Sequence, residues 1–316
     1  MKRSFAGTAL INLMLSVTLS LLLVLSAVRL LQTSLALYLE EEQFARMEAD
    51  AAYLLDLLER SLQQLGYVDP MLPDDVVVGR PSEGAVRGLD NALITAGSEG
   101  IAAASAGALH GSDVIAIHFQ GDASGQRLNC AGFSVPRFVA GATNANSAIN
   151  ASSVSSVDQG WSVFHTASGP LGEPELRCKY RGESQWESQA LISGVETFQI
   201  LYGIDTDGDG LPNTFLNATR MNAAEATQTP GLDSPWTLVV AVRVALLMRS
   251  PAFVKIESRL THPKLVELFG HAYAELFASS DPGTRILPAA FSQRAPCLRR
   301  QFDRLIFLRN SLRSSA

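Results

Sequence analysis

The hydrophobic pattern of the chain changes character twice. Between Arg3 and Arg29 no residue carries a charge, and Thr8 to Val28 (TALINLMLSVTLSLLLVLSAV) is an apolar run of about 21 residues, roughly 31 Å as a helix, enough to cross a bilayer. The apolar positions then thin to Phe44, Met47, Ala51, Leu54, Leu55, Leu58, Leu62 and Leu65, the three-and-four spacing of a helix with one buried face. The opposite face carries Glu40, Glu41, Glu42, Glu48, Asp50, Asp56 and Glu59 against Arg46 and Arg60, and is expected to be solvated. No proline precedes Pro70, and Gly66 is the expected stop. The pattern therefore predicts one helix from Thr8 to Leu65, about 87 Å long, with its first half apolar all round and its second half packed on a globular head.

Beyond the helix the period shortens. Asp113 to Asp122 alternates Val114, Ala116 and His118 against Ile115, Ile117 and Phe119, and reads as a strand. Val195 to Tyr202 and Trp236 to Met248 read the same way, the second rich enough in Val and Leu to be central, and Leu305 to Leu308 closes the sheet. SEGAVRGLDN (82–91) and the Ala/Ser/Asn/Gly-rich segment 141–160 read as loops, the second exposed and mobile. The expected class is α+β: a long N-terminal helix on an antiparallel β-sheet head with long loops.

Composition sharpens this picture at two points. Hydrophobic residues make up 47% of the chain and charged residues 18%, too apolar for disorder, and the surplus sits in the N-terminal run. The net charge of −6 disfavours a chain-wide phosphate-backbone binder, so no nucleic acid partner is expected. It is also uneven: residues 40–60 hold seven acids and two bases, net −5, whereas residues 285–313 hold seven bases and one acid, net +6. Lys2 and Arg3 before the apolar run keep the N-terminus in the cytoplasm and send the head outward. An ordinary cleaved signal would lose its helical pattern after a small-residue site; here the pattern runs on without a break.

Those N-terminal residues resemble a known processing site. AGTALINLM is similar to the prepilin site of type IV pilins, in which a basic leader ends in Gly ahead of a long apolar helix. Gly7 matches the residue before the cut, and Thr8 stands at the mature N-terminus, where the family usually has a methylated Phe. Asn12 stands where the family has Glu; an amide cannot supply a charge to a neighbouring subunit's amine, but it costs less in a bilayer. Further along, EQFARMEADAAYLLDLLERSLQQLGY, VETFQILYGIDTDGDGLPNTF followed by WTLVVAVRVALLMRS, and RRQFDRLIFLRNSL resemble, in that order, segments of PilW-type minor pilins.

The resemblance implies a structural minor pilin, not an enzyme, that takes part in initiating type IV pili at or near the tip, and so in twitching motility and cell adhesion. It implies a leader at 1–7, a transmembrane half-helix at 8–28, an amphipathic half at 29–66 and a β-rich periplasmic or extracellular head at 67–316. The implied partners are other minor and major pilins through the helix, the prepilin peptidase, and a tip adhesin. The implied location is the inner membrane before assembly and the pilus fibre after it. Two alternatives belong beside this reading: a minor pseudopilin of a type II secretion system, and a signal-anchored periplasmic calcium-binding protein.

The sharpest chemical motif is DTDGDGLPN. Asp205, Asp207 and Asp209 at alternate positions, Gly210 at the sixth and Asn213 at the ninth resemble the first half of an EF-hand loop, where such side chains converge on Ca2+. The twelfth position is Leu216 rather than Glu, and an Asp/Gly-rich turn without an ion fits the same residues. A bridge between Cys130 and Cys178 fits an oxidising compartment, and the family often has Cys near both places; three cysteines allow three alternative single bridges, with Cys297 left over in this one. His110, His118, His165, His262 and His271 have no metal-motif spacing, and HExxH, GxSxG, Walker A and dinucleotide fingerprints do not occur. NAS at Asn150 and NAT at Asn217 fit the glycan acceptor pattern.

Overall fold

The computed structural model describes residues 5–67, 85–102, 104–136, 160–182, 184–229, 234–251, 265–287, 290 and 297–309. A single helix, α1 (Phe5–Gln63), comes first. The head follows as β1 (Val86–Leu89), β2 (Ala92–Leu93), β3 (Ser105–Ala106), β4 (Val114–Phe119), β5 (Gly160–Ser168), β6 (Pro174–Arg181), β7 (Trp186–Ser193), β8 (Val195–Ile204) and β9 (Thr214–Leu216). Then come α2 (Ala218–Ala226), β10 (Val239–Arg249), β11 (Val266–Glu267), α3 (His271–Phe277), β12 (Arg285–Ile286) and β13 (Arg299–Phe307). A five-stranded sheet runs β1-β4-β5-β6-β7 and a four-stranded sheet runs β13-β10-β8-β9, both with antiparallel neighbours. The α+β class holds.

The principal core lies where α1 meets both sheets. Met47, Leu54, Leu58 and Leu62 of the helix pack in one cluster with Ile115, Ile117, Phe164 and Leu176 of the first sheet and Phe198, Ile200, Val242 and Leu246 of the second. Each sheet also has its outer face covered. Ala92 and Ile94 close over Val114, Ala116 and Val163, while Val266, Leu268, Phe269 and Ile286 close over Leu201, Ala245 and Leu247. Burial on both faces is why β4 and β10 read as near-continuous apolar runs, whereas β8, equally buried, carries Glu196, Thr197 and Gln199 in its first half.

Several boundaries differ from the sequence expectation. Trp236 is not in a strand: Pro235–Leu238 is a 3-10 turn opened by Ser234, and β10 starts at Val239. The closing strand is longer than Leu305 to Leu308, because pairing along β10 extends it from Arg299 to Phe307. SEGAVRGLDN is not wholly a loop. Val86–Leu89 is β1, recruited by backbone pairing to β4, and Gly88 is needed there because a Cβ would stand 2.0 Å from the Tyr202 hydroxyl. Most of segment 141–160 lies outside the described residues; its last residue, Gly160, opens β5. Asn150 and His262 also lie outside them.

Candidate functional site

The feature that distinguishes this molecule is the helix that leaves the head. Leu10, Leu13, Leu21, Leu23 and Leu30 are all more than half exposed, and the apolar window of α1 buries none of its surface within the chain. By length and composition it is the one helix among the described residues able to cross a membrane. Its hydroxyls suit that medium. Ser16, Thr18, Ser20 and Ser26 each donate to the carbonyl three residues back, at 2.8–2.9 Å, and Thr33 donates to Arg29 and Leu30, so none presents an unsatisfied donor to an apolar surround. Gly7 and Thr8 lie on the helical backbone of α1, and Asn12 is exposed one turn further on. Apolar exposure continues to Leu39, past the expected boundary at Val28.

From Gln43 onward the helix is seated. Met47, Ala51, Leu54, Leu55, Leu58, Leu62 and Leu65 are buried and Phe44 is partly buried, the stripe its spacing predicts. A fully buried Leu contributes about 2 kcal/mol by area, so three such residues at 54, 58 and 62 outweigh the polar contacts around them. Beyond Gln63 the chain is tied to the head: Gly66 N donates to His118 O at 3.0 Å, and the Arg127 guanidinium stacks 3.7 Å from the Tyr67 ring centroid.

The acidic face is exposed or half-buried, as expected, and part of it is also paired within the chain. Glu48 pairs with Arg300 at 2.6 Å, and Arg304 reaches both Asp56 at 2.5 Å and Glu59 at 3.3 Å. Three acids of the helix therefore pair with two bases of β13, where that strand runs beside it.

Asp205, Asp207 and Asp209 do come together, each offering an oxygen within 4.8 Å of the others. The loop is also closed by its own hydrogen bonds. Asp205 accepts from Gly208 N at 2.6 Å and Gly210 N at 2.8 Å, and Asp209 accepts from Leu211 N at 2.7 Å. Asn213 turns its carbonyl oxygen to Thr206 N at 2.6 Å and donates its amide to Asp207 at 3.0 Å, so its oxygen is engaged inside the turn.

Cys130 and Cys178 form a disulfide with a Cα–Cα distance of 5.8 Å, and Cys297 is free and buried. Asn217 is no surface acceptor. It is buried, and its side chain caps α2 by accepting from Arg220 N at 3.1 Å. His165 is a core residue, Nε2 to Ser188 Oγ 3.3 Å, and His118 stacks on Trp161 with ring centroids 3.4 Å apart.

A long apolar helix seated by its second half on a β-rich head defines a helix-anchored α+β protein. Residues 163–310, from β5 through the end of β13, match the family model of PilW, type IV pilus-assembly protein W. No curated protein and no solved structure matches the chain.

Proposed function

We propose that this chain is a minor pilin that helps to initiate type IV pili and sits at or near the filament tip. The observation that carries the proposal is the exposed apolar surface of α1 from Leu10 to Leu39, joined to a head whose residues 163–310 match PilW. Such a surface is stable only in lipid or against other apolar helices. Before assembly it spans the inner membrane once, the N-terminus held in the cytoplasm by Lys2 and Arg3. After removal of residues 1–7 by prepilin peptidase, the same surface packs among the helices of other pilins. Glu48, Asp56 and Glu59 are already paired with β13, and helix-to-helix contact relies chiefly on shape and apolar burial along Leu10 to Leu39.

Deletion of the gene followed by imaging of the cell surface tests the reading. Loss of most pili, restored by the intact gene, is expected. Unchanged pilus numbers contradict it, and normal pili with exoproteins retained in the cell would instead make the chain a secretion pseudopilin.

A further inference from the structure

Far from one another in sequence, Asp90, Asp113 and Asp281 meet inside the head. Each offers an oxygen within 4.8 Å of the other two. Asp113 and Asp281 are 2% and 1% exposed, so this is an interior cluster, unlike the surface loop at 205–213. The segment around Asp281 is fitted closely to the segment before Asp113: Gly111 (φ 73) and Gly283 (φ 95) face each other, and a Cβ on Gly111 would lie 2.5 Å from the Pro282 backbone.

The carboxylates are held in place by donors that leave lone pairs free. Asp90 accepts from Ala218 N at 3.0 Å and Thr219 N at 2.8 Å, at the start of α2. Asp113 accepts from Ile200 N at 2.8 Å and Asn91 N at 3.3 Å, and Asp281 accepts from the Tyr273 hydroxyl at 2.8 Å. One buried hydroxyl, that of Tyr202, remains without a hydrogen bond, and beyond Tyr273 the Asp281 carboxylate has the Asn217 side chain as its neighbour. The Tyr202 hydroxyl lies against Gly88, two residues before Asp90: a Cβ there would stand 2.0 Å from it.

No ion pair to any of the three acids is present among the described residues, and the charges bearing on Asp113 are those of Asp90 and Asp281, both of its own sign. Like charges at this distance in a low-dielectric interior repel strongly. We infer that Asp90, Asp113 and Asp281 form a buried site for a calcium ion, with the Tyr202 hydroxyl beside it. The donor set is all oxygen, which selects a hard cation. Asp90 and Asp113 are tied to backbone N–H groups and Asp281 to a hydroxyl, an irregular protein-oxygen set of the kind calcium accepts, whereas magnesium demands near-octahedral geometry and keeps several waters, which favours calcium. The ion would fasten the end of β1, the entry to β4 and the turn after α3 at one point.

Terbium luminescence excited through tyrosine and tryptophan tests the inference on the full chain in detergent micelles after chelator treatment. Tyr273, hydrogen-bonded to Asp281, would sensitise the ion. Bright emission from wild type, displaced by calcium, kept by the double variant Asp207→Asn/Asp209→Asn and largely lost in Asp281→Asn, is the expected result. Circular dichroism of Asp281→Asn shows whether that variant is folded; if it is not, Asp90→Asn takes its place. Absence of wild-type emission together with no rise of melting temperature in calcium overturns the site, leaving the trio neutralised by protons. Emission lost in the 207/209 variant but kept in Asp281→Asn overturns it as well, by moving the ion to the surface loop.

Discussion

Arg304, near the end of the last strand, donates a 2.5 Å hydrogen bond to Asp56 on the first helix, joining residues 248 positions apart. With Glu48–Arg300 it binds the two ends of the described chain across the seat of α1. These ion pairs set the register of helix on head, but their side chains are partly exposed, and pairs of that kind contribute about 1 kcal/mol or less.

The comparison with the apolar stripe gives a first expectation. Leu58→Ala removes a fully buried side chain and should destabilise the head by about 2–5 kcal/mol. Arg304→Ala should cost about 1 kcal/mol or less. Chemical denaturation of the two variants in the same micelles checks the order; a larger loss from Arg304→Ala would mean that charge, not burial, seats the helix.

The disulfide closes a loop between residues 48 positions apart. In the chain-entropy description a bridge of that span stabilises by about 4 kcal/mol. Double replacement Cys130→Ala/Cys178→Ala, or strong reductant, should lower the unfolding free energy by an amount of that order. Cys297→Ala should leave the bridge intact, read as the same count of free thiols after alkylation under native and denaturing conditions.

A buried charge network stands at the start of β13. Glu196, fully buried, holds Arg299 at 2.6 and 3.0 Å and lies 3.6 Å from Arg249. Glu196→Ala removes the carboxylate that Arg299 holds, while Arg249 keeps Glu173, and loss of one partner of a buried pair typically costs about 3–5 kcal/mol. Glu196→Gln, which keeps the shape, should be less damaging; equal losses would mean that the charge carries the whole effect, and no loss in the Gln variant that the charge contributes nothing.

His165 gives the pH dependence. It is 2% exposed, and burial, reinforced by the positive charges of Arg177 and Lys179, lowers its pKa to about 4. The unfolded chain takes up that proton near pH 6.5, so between about 6.5 and 4 the unfolded state binds more protons and stability falls as pH falls. The loss attributable to this residue reaches about 3 kcal/mol at the low end. Unfolding curves of wild type and His165→Leu across that range should converge as pH drops; parallel curves would refute the assignment.

Much of this fold could be read from one chain because its strongest signals are local. The helix shows in an unbroken apolar run followed by a three-and-four stripe, and every stripe position from Met47 to Leu65 is buried as its spacing demands. β10 was legible because burial on both faces leaves few polar residues in it, and β8 through its apolar residues Ile200, Leu201 and Tyr202 despite Glu196, Thr197 and Gln199 before them. β5, β6 and β7 were not, since polar residues such as Lys179, His165 and Glu187 are accommodated by specific partners that no local pattern announces. β1 was hidden by Gly88, a residue that disfavours strands but is required under Tyr202. The Asp205–Asp209 loop was visible as a motif. The Asp90, Asp113 and Asp281 trio was not, because tertiary packing alone brings its members together from three segments with no shared spacing.

The most direct measurement on the central proposal is the N-terminal sequence and mass of the protein purified from envelopes. A mature chain beginning at Thr8 with a methylated amine is the expected result, because it places the chain on the pilin route with α1 intact for assembly. A chain still beginning at Met1, or one cut near Ala36 so that the apolar half of α1 is gone, would contradict it.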